Sequence, residues 1–487
     1  LASLEVSAGS ADGDPVREKK HYLPIPSRIL EPIRMNPPRI PAHARHAVAS
    51  SLLALSLLSA HAATDPVEKN ETKRVDFGGD VRVRQVHFDS IPSFTDPPGV
   101  ARGGENHFFR FRTRLWSRVS PGPNLKAFGR IANEFRHYES PDVTSWDFPD
   151  EAFLDNLYID LLNCFGETVD LRIGRQDLKY GNRRVISEGS VKDGSRSIYM
   201  DAVKLTYKGL DKNSIDLLGI YNSAENELAV NSQDRDLTGY TGNDAGMDEA
   251  GGGVYWKNNA LASLPFEAYY LFKHETAWKN PDGEIQPSAD VHTLGSRWMP
   301  KFNEHWDANL EVALQTGEAG DADQTGVMVD ALLNYHPSLL TRLDPTLTGG
   351  LYFLSGDDPE TQKDEGWNPL WSRWVQYSEL YFYAWGDRAR WSNLVMPHLD
   401  FSLKPNDKLR IWGVLGALLA EEDDGPGPGD YRGTLGRVRT DFTLKEDLWI
   451  PKDSLVGHLS LELFDPGDYY NVDDTAHWAR WELSYQF

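Results

Sequence analysis

Along most of the chain, apolar and polar residues change places at every second position. From Arg74 to Phe88, Val75, Phe77, Gly79, Val81 and Val83 hold one parity, and Arg74, Asp76, Asp80, Arg82 and Arg84 hold the other. Side chains alternate across an extended strand, so this rhythm predicts a strand with one apolar and one polar face. The same pattern recurs over Asn106 to Val119, with Phe109, Phe111, Leu115 and Val119 set against Arg110, Arg112, Arg114 and Arg118. It continues over Leu125 to Arg136 and through segments 152–161, 168–176, 198–208, 213–222, 248–257, 265–275, 290–299, 305–316, 325–335, 345–355, 392–404, 408–419, 432–445, 454–464 and 476–487. Short links such as Ser120 to Asn124, Lys208 to Lys212 and Pro405 to Asp407 alternate with long polar ones, 223–247 and 356–391 above all. About eighteen segments of roughly ten residues predict an all-β fold, a single antiparallel transmembrane β-barrel with short periplasmic turns and long extracellular loops.

Aromatic placement agrees with that fold. Trp256, Trp298, Trp306, Tyr335 and Phe487 take the apolar parity beside the short turns, where one girdle of a membrane barrel belongs. The last segment, His477 to Phe487, is amphipathic and stops at a phenylalanine. By resemblance to outer-membrane barrels as a class, such an ending engages the barrel assembly machinery of Gram-negative bacteria. A soluble sandwich or barrel is the competing reading of strand aromatics.

The mean hydropathy of -0.51 does not argue against a membrane protein, because a barrel strand meets lipid only at alternate residues. No apolar run is long enough for a helical span. Met35, Arg39 and Arg45, the apolar run Ala47 to Leu58 and Ala60-His-Ala62 predict a secretory signal over 35–62 cut after Ala62. Residues 1–34 are then an upstream extension, 63–72 a short linker and 73–487 the barrel. Removing residues 1–62 takes 7 of 50 basic and 5 of 73 acidic residues, leaving 43 and 68, a net charge of -25. The single cysteine, Cys164, excludes an intrachain disulfide framework and a thiolate metal cluster. No cofactor, metal or nucleic-acid partner is expected.

The chemistry lies on the polar parity. Arg110, Arg112 and Arg114 stand about 7 Å apart on one strand face, where like charges repel by roughly 0.6 kcal/mol in water and about 2.4 at an effective dielectric of 20. Two readings stay open. In one, a wet lumen carries the ladder as a path for anions, since arginine forks bind carboxylates bidentately. In the other, the arginines pair with wall carboxylates such as Asp80 and Glu134 and hold the barrel's shape. Around the closed circumference, the last and first three strands carry Arg82, Arg84, Arg110, Arg112, Arg114, Arg118, Arg130, Arg136, Arg437, Arg439 and Arg480 inward. Segments 7 to 12 carry Asp216, Glu249, Glu267, Glu275, Asp307, Glu311 and Asp330, which predicts one basic and one acidic wall around a water-filled lumen.

Leu171-Arg-Ile-Gly-Arg-Gln176, the loop Gly181-Asn-Arg-Arg184 and the strand from Tyr199 resemble the alginate export family of outer-membrane barrels. Ser355-Gly-Asp-Asp358 and Leu463-Phe-Asp-Pro-Gly-Asp-Tyr469 echo it further on. The resemblance implies an 18-stranded barrel whose electropositive constriction passes a carboxylated polysaccharide outward, possible periplasmic polysaccharide secretion proteins as partners, and Arg172 with the second strand's arginines as matching lumen residues. Parity puts Arg175 on the lipid side with Ile173, so it needs a bulge at Gly174 or a place above the membrane. A substrate-specific or general uptake porin for anionic solutes or saccharides is the alternative. An outer-membrane enzyme is a third class, suggested by His458 and Ser460 two apart on one strand. That pair takes the inward parity here, opposite to Leu459, Leu461 and Leu463, and no catalytic motif accompanies it, so no catalytic residue is expected.

Overall fold

The computed structural model of the protein describes residues 74–92, 104–140, 152–187, 199–224, 229–230, 247–279, 285–372, 377–380 and 392–487. The expected extension 1–34, signal 35–62 with its cleavage point, and linker 63–72 lie outside the described residues.

Eighteen strands form the barrel wall, β1 (Arg74–Asp89), β2 (Asn106–Gly122), β3 (Leu125–Ser140), β4 (Ala152–Asn163), β5 (Val169–Gln176), β6 (Met200–Tyr207), β7 (Asn213–Asn222), β8 (Glu249–Asn258) and β9 (Phe266–Glu275), followed by β10 (Ala289–Trp298), β11 (Trp306–Ala319), β12 (Ala322–Tyr335), β13 (Thr346–Leu354), β14 (Leu394–Asn406), β15 (Leu409–Leu419), β16 (Tyr431–Glu446), β17 (Ser454–Pro466) and β18 (Ala476–Gln486). Each pairs antiparallel with its neighbours in sequence. The wall closes where β18 pairs with β1, from Asp80 opposite Gln486 to Asp89 opposite His477. Closure pairs the first and last strands, so backbone N–H and C=O groups along the paired registers find partners away from water. Phe487 extends the seam: its backbone exchanges two hydrogen bonds with Gly79, of 3.0 and 2.9 Å.

The predicted segments and the strands coincide within a few residues. The largest differences lengthen strands: β3 runs to Ser140, and β11 and β12 meet in a two-residue turn, Gly320-Asp321, instead of an open link. Gly320 makes that turn possible with a φ of +62°.

The apolar parity faces outward. Phe77 is 79% exposed and Leu461 64%, with Val75, Val81, Leu399, Leu415, Leu459 and Leu463 also exposed. Such a band suits acyl chains and would be an aggregation surface in water. At the turn end, Trp256, Phe266 and Trp298 run in contact at 5.0 and 5.1 Å between ring centres, and Trp306 meets Tyr335 at 4.7 Å, giving the expected girdle.

The interior departs from expectation. On the loop-end half, the inward parity turns apolar: Val86 and Phe88 follow Arg82 and Arg84 on β1, and Phe108 precedes Arg110 on β2. These residues belong to one buried cluster with Leu178, Ile186, Leu370 and Trp371 from the loops after β5 and β13. The loop end is therefore a packed core, and the expectation of a water-filled lumen in place of a packed interior is corrected there. Apolar inward side chains would cost free energy in a wet pore, and the infolded loops cover them.

Candidate functional site

Two loop segments cross the lumen and meet. Ile186–Ser187 pairs in parallel with Trp371–Ser372, and Trp371 N donates to Val185 O at 3.0 Å. The first segment, 177–187, follows β5. Asp177 accepts from Asn156 at 3.0 Å and lies 3.4 Å from Arg130. Tyr180 donates to Asp216 at 2.7 Å, and burial first, then Asp216, push its pKa well up, so it stays a donor. Asn182 gives its backbone N–H to Glu311 at 2.6 Å and its amide to Asp330 at 2.8 Å. Gly181 lies so close to Glu311 that a Cβ would sit 2.6 Å from Oε1, which only glycine avoids. Arg184 pairs with Asp330 at 2.9 Å with its guanidinium 4.3 Å from the Tyr352 ring centre. Burial works against its charge, but Asp330 outweighs it and raises the pKa above the usual arginine range.

The second segment, after β13, spans the same space. Asn368 N donates to Gln315 at 2.9 Å, and Leu370 O accepts from Lys273 at 2.6 Å. Ser378, Glu379 N and Leu380 N all donate to Glu462 on β17. The Glu379 carboxylate lies 3.0 Å from Arg480 and 3.6 Å from Arg437.

The sequence-predicted arginines stand opposite the exposed apolar band, and among the described residues at least ten of the twelve have a carboxylate within 4 Å. Asp80 takes Arg112 at 2.9 Å and Arg114 at 2.6 Å. Glu134 takes Arg110 at 3.2 Å and Arg82 at 3.6 Å, and Glu482 takes Arg84 at 2.5 Å and Arg82 at 3.7 Å. Arg130 meets Asp155 at 2.5 Å, Arg172 meets Asp160 at 2.6 Å, and Arg439 meets Asp441 at 2.7 Å. Arg437 and Arg480 use Glu379, as above. Arg136 donates to the Tyr138 hydroxyl at 3.2 Å and lies over Phe108. Arg118 alone of the twelve has no hydrogen bond or ion pair among the described residues and lies over the rings of Trp116 and Phe128. The reading in which wall carboxylates, Asp80 and Glu134 among them, hold the arginines is thus realised in the geometry. Among the described residues, Arg82, Arg84, Arg110, Arg112 and Arg114 gather around Asp80, Glu134 and Glu482.

The two walls stay on opposite sides, and the infolded segments bring a counter-charge to each. Glu379 reaches the basic wall and Arg184 the acidic one, where Glu311 and Asp330 are fully buried. An exposed acidic wall that repels a passing anion is therefore corrected at these two carboxylates. Sequence parity missed Glu379, Arg184 and Asn182 because loops have no period. The motif Gly181 to Arg184 was the one signal for the last two. It also missed Asp155, which parity places outward. A register shift in β4 between Asn156 and Leu154 turns it toward Arg130.

Arg175 shows the opposite outcome. The β4–β5 register runs unbroken through Gly174, so the bulge considered there is absent and Arg175 keeps its outward parity. It is nevertheless buried at the loop end, held by Asp201 at 2.8 and 2.9 Å and by Leu154 O, with its guanidinium 3.6 Å from the Tyr199 ring centre. His458 and Ser460 sit within the arginine network: His458 Nε2 accepts from Arg480 at 2.8 Å, and Ser460 from Arg437 at 3.4 Å.

A closed 18-stranded barrel with an apolar outer band, infolded loops and an ion-paired interior defines an outer-membrane channel of the porin class. Among solved structures, Pseudomonas aeruginosa OccK5 (OpdH) aligns with a TM-score of 0.52 at 13% identity, over 85% of this chain and 98% of that one. OccK11 (OpdR) from the same organism aligns at 0.51 and 13%, over 85% and 96%. OccK2 (OpdF), crystallised in complex with glucuronate, aligns at 0.50 and 11%, over 85% and 96%. These likenesses concern the fold. No curated protein matches the sequence. The alginate export family matches residues 73–474, and the chain belongs to that family.

Proposed function

We propose that this outer-membrane channel carries an anionic, uronate-containing polysaccharide outward along the basic wall formed by β16–β18 and β1–β3. The observation that carries the reading is the gathering of Arg82, Arg84, Arg110, Arg112 and Arg114 on this wall, each held by a carboxylate of Asp80, Glu134 or Glu482. Guanidiniums already held in place by carboxylates lose little side-chain freedom when a passing carboxylate takes over one of their forks. The glucuronate bound by OccK2 lends support from a protein of like fold. Short turns then face the periplasm, where secretion proteins would feed the channel, and the acidic loop Glu421 to Asp424 stands outside. There burial, together with Asp358 and its acidic neighbours, raises the Glu422 pKa.

A second reading is an uptake porin for small anionic solutes or saccharides. The packed pair of infolded segments favours it, because a polymer needs that pair to move and a monomer needs less room. Planar-bilayer recordings separate the two. Polymer passage requires concentration-dependent block of ion current by uronate oligomers on the turn side, with anion preference in a salt gradient. Permeation by monouronate alone, with no block by longer oligomers, favours the uptake porin. Cation preference would refute both.

A further inference from the structure

Toward the turn end of the lumen, neighbouring strands place three aromatic rings that belong neither to the packed core nor to the ion-pair network. Trp116 on β2, Phe128 on β3 and Tyr158 on β4 share the inward register, with Phe128 directly opposite Tyr158. Ring centres are 6.0 Å apart for Trp116 and Phe128 and 5.1 Å for Phe128 and Tyr158, with planes inclined by only 25° and 23°. All three are half-buried. The Trp116 ring lies against bare backbone: a Cβ on Gly78 would sit 2.7 Å from Cζ2 and 2.9 Å from Cε2.

Their polar tips are unengaged. Among the described residues neither the Trp116 indole N–H nor the Tyr158 hydroxyl has a hydrogen-bond partner. Two cations flank the row. Arg118, exposed and without a carboxylate, lies 5.9 and 5.7 Å from the Trp116 and Phe128 ring centres. Arg172 stacks over Tyr158 at 3.9 Å while Asp160 holds it at 2.6 and 3.0 Å.

An inward barrel face is ordinarily polar, so three adjacent rings left partly open there suit a flat ligand with an apolar face and a polar rim. A pyranose ring has that shape: axial C–H groups on its faces and hydroxyls around its edge. The aromatic bodies would cover the C–H face, Trp116 N–H and Tyr158 O–H would meet hydroxyls, and Arg118 would take a ring carboxylate. We propose that Trp116, Phe128 and Tyr158, with Arg118 at the rim, form a stacking platform for pyranose rings of a uronate chain entering from the turn end. This deepens the polysaccharide reading and rests on it for the nature of the cargo.

The test is block of ion current in planar bilayers by a uronate hexamer and by an uncharged hexose hexamer. The double variant Trp116→Leu/Tyr158→Leu should raise the half-blocking concentration of the uronate hexamer at least tenfold, a change of about 1.4 kcal/mol. Its reversal potential in a potassium chloride gradient should stay at the wild-type value. Arg118→Gln should weaken block by the uronate hexamer and leave block by the neutral one unchanged. Unaltered block in the double variant overturns the platform while the polysaccharide reading stands. Block of the wild type by the neutral hexamer alone, relieved in the double variant, keeps the platform and removes the uronate cargo. Absence of block by either hexamer in the wild type overturns both. If the double variant yields no heat-modifiable folded band, the single leucine variants and Arg118→Gln, whose side chain has no ion pair to lose, give the same decision.

Discussion

Asp330 is the point at which both infolded segments are tied to the barrel wall, and its replacement by asparagine should open the lumen. Its carboxylate accepts from Arg184 Nε at 2.9 Å, from Asn182 Nδ2 at 2.8 Å and from Tyr377 Oη at 3.4 Å, and it is fully buried. Asp330→Asn keeps the shape but removes the charge and leaves the buried Arg184 guanidinium uncompensated. Breaking a buried ion pair by removing one partner costs about 3–5 kcal/mol. A wall strand with paired neighbours cannot move to relieve that cost, whereas segment 177–187 can leave and hydrate Arg184. The loss should therefore appear as opening. Taking about 3 kcal/mol, with every 1.4 kcal/mol worth tenfold, the packed-to-open ratio falls roughly a hundredfold. Single-channel recording should show a larger or more frequently visited high-conductance state, with Arg184→Met behaving alike and the double variant less affected than additivity requires. Conductance histograms of folded Asp330→Asn barrels that match the wild type would refute the idea that this anchor closes the lumen.

Further outcomes follow from the same contacts. Asp80→Asn takes the shared carboxylate from Arg112 and Arg114, removes one negative charge from the wall and should move the reversal potential toward anion preference. Deleting Phe487 removes two backbone hydrogen bonds at the β1–β18 seam and should reduce the heat-modifiable folded band in cells. Asp453, in the turn before β17, has burial against its charge, but the Tyr485 hydroxyl and the N–H groups of Ile450, Trp449 and Leu448 outweigh it and hold its pKa at about 2. A depressed carboxylate pKa stabilises the fold above its unfolded value and loses that support as pH falls. Acid titration of detergent-solubilised protein should thus find this turn intact until about pH 2, and Asp453→Asn should lower the melting temperature at pH 7 and flatten its dependence on acid. The secretory signal read over residues 35–62 predicts an outer-membrane form beginning at Ala63, which intact-mass measurement checks.

The barrel was legible in the chain because lipid and strand pairing impose a strict period of two. Val75, Phe77 and Val81 had to share a face, and a one-residue slip would have put Arg82 and Arg84 into acyl chains. That same parity set the twelve arginines opposite the apolar band and gathered eleven of the twelve on the strands around the seam between β18 and β1, with Arg172 on β5. It also announced counter-charges that share those strands, Asp80 and Glu134 among them. What lay beyond the period was decided in three dimensions. Glu379 and Arg184 reach their walls from loops whose course no local pattern specifies, Asp155 turns inward only through a register shift, and Arg175 is buried on the outward side by residues brought there by β6. The apolar inward stretch Val86 to Phe88 was visible as a break in alternation. Its meaning depended on Leu178, Ile186 and Trp371 crossing the lumen to cover it, a cluster of segments far apart in sequence that only the closed barrel brings together.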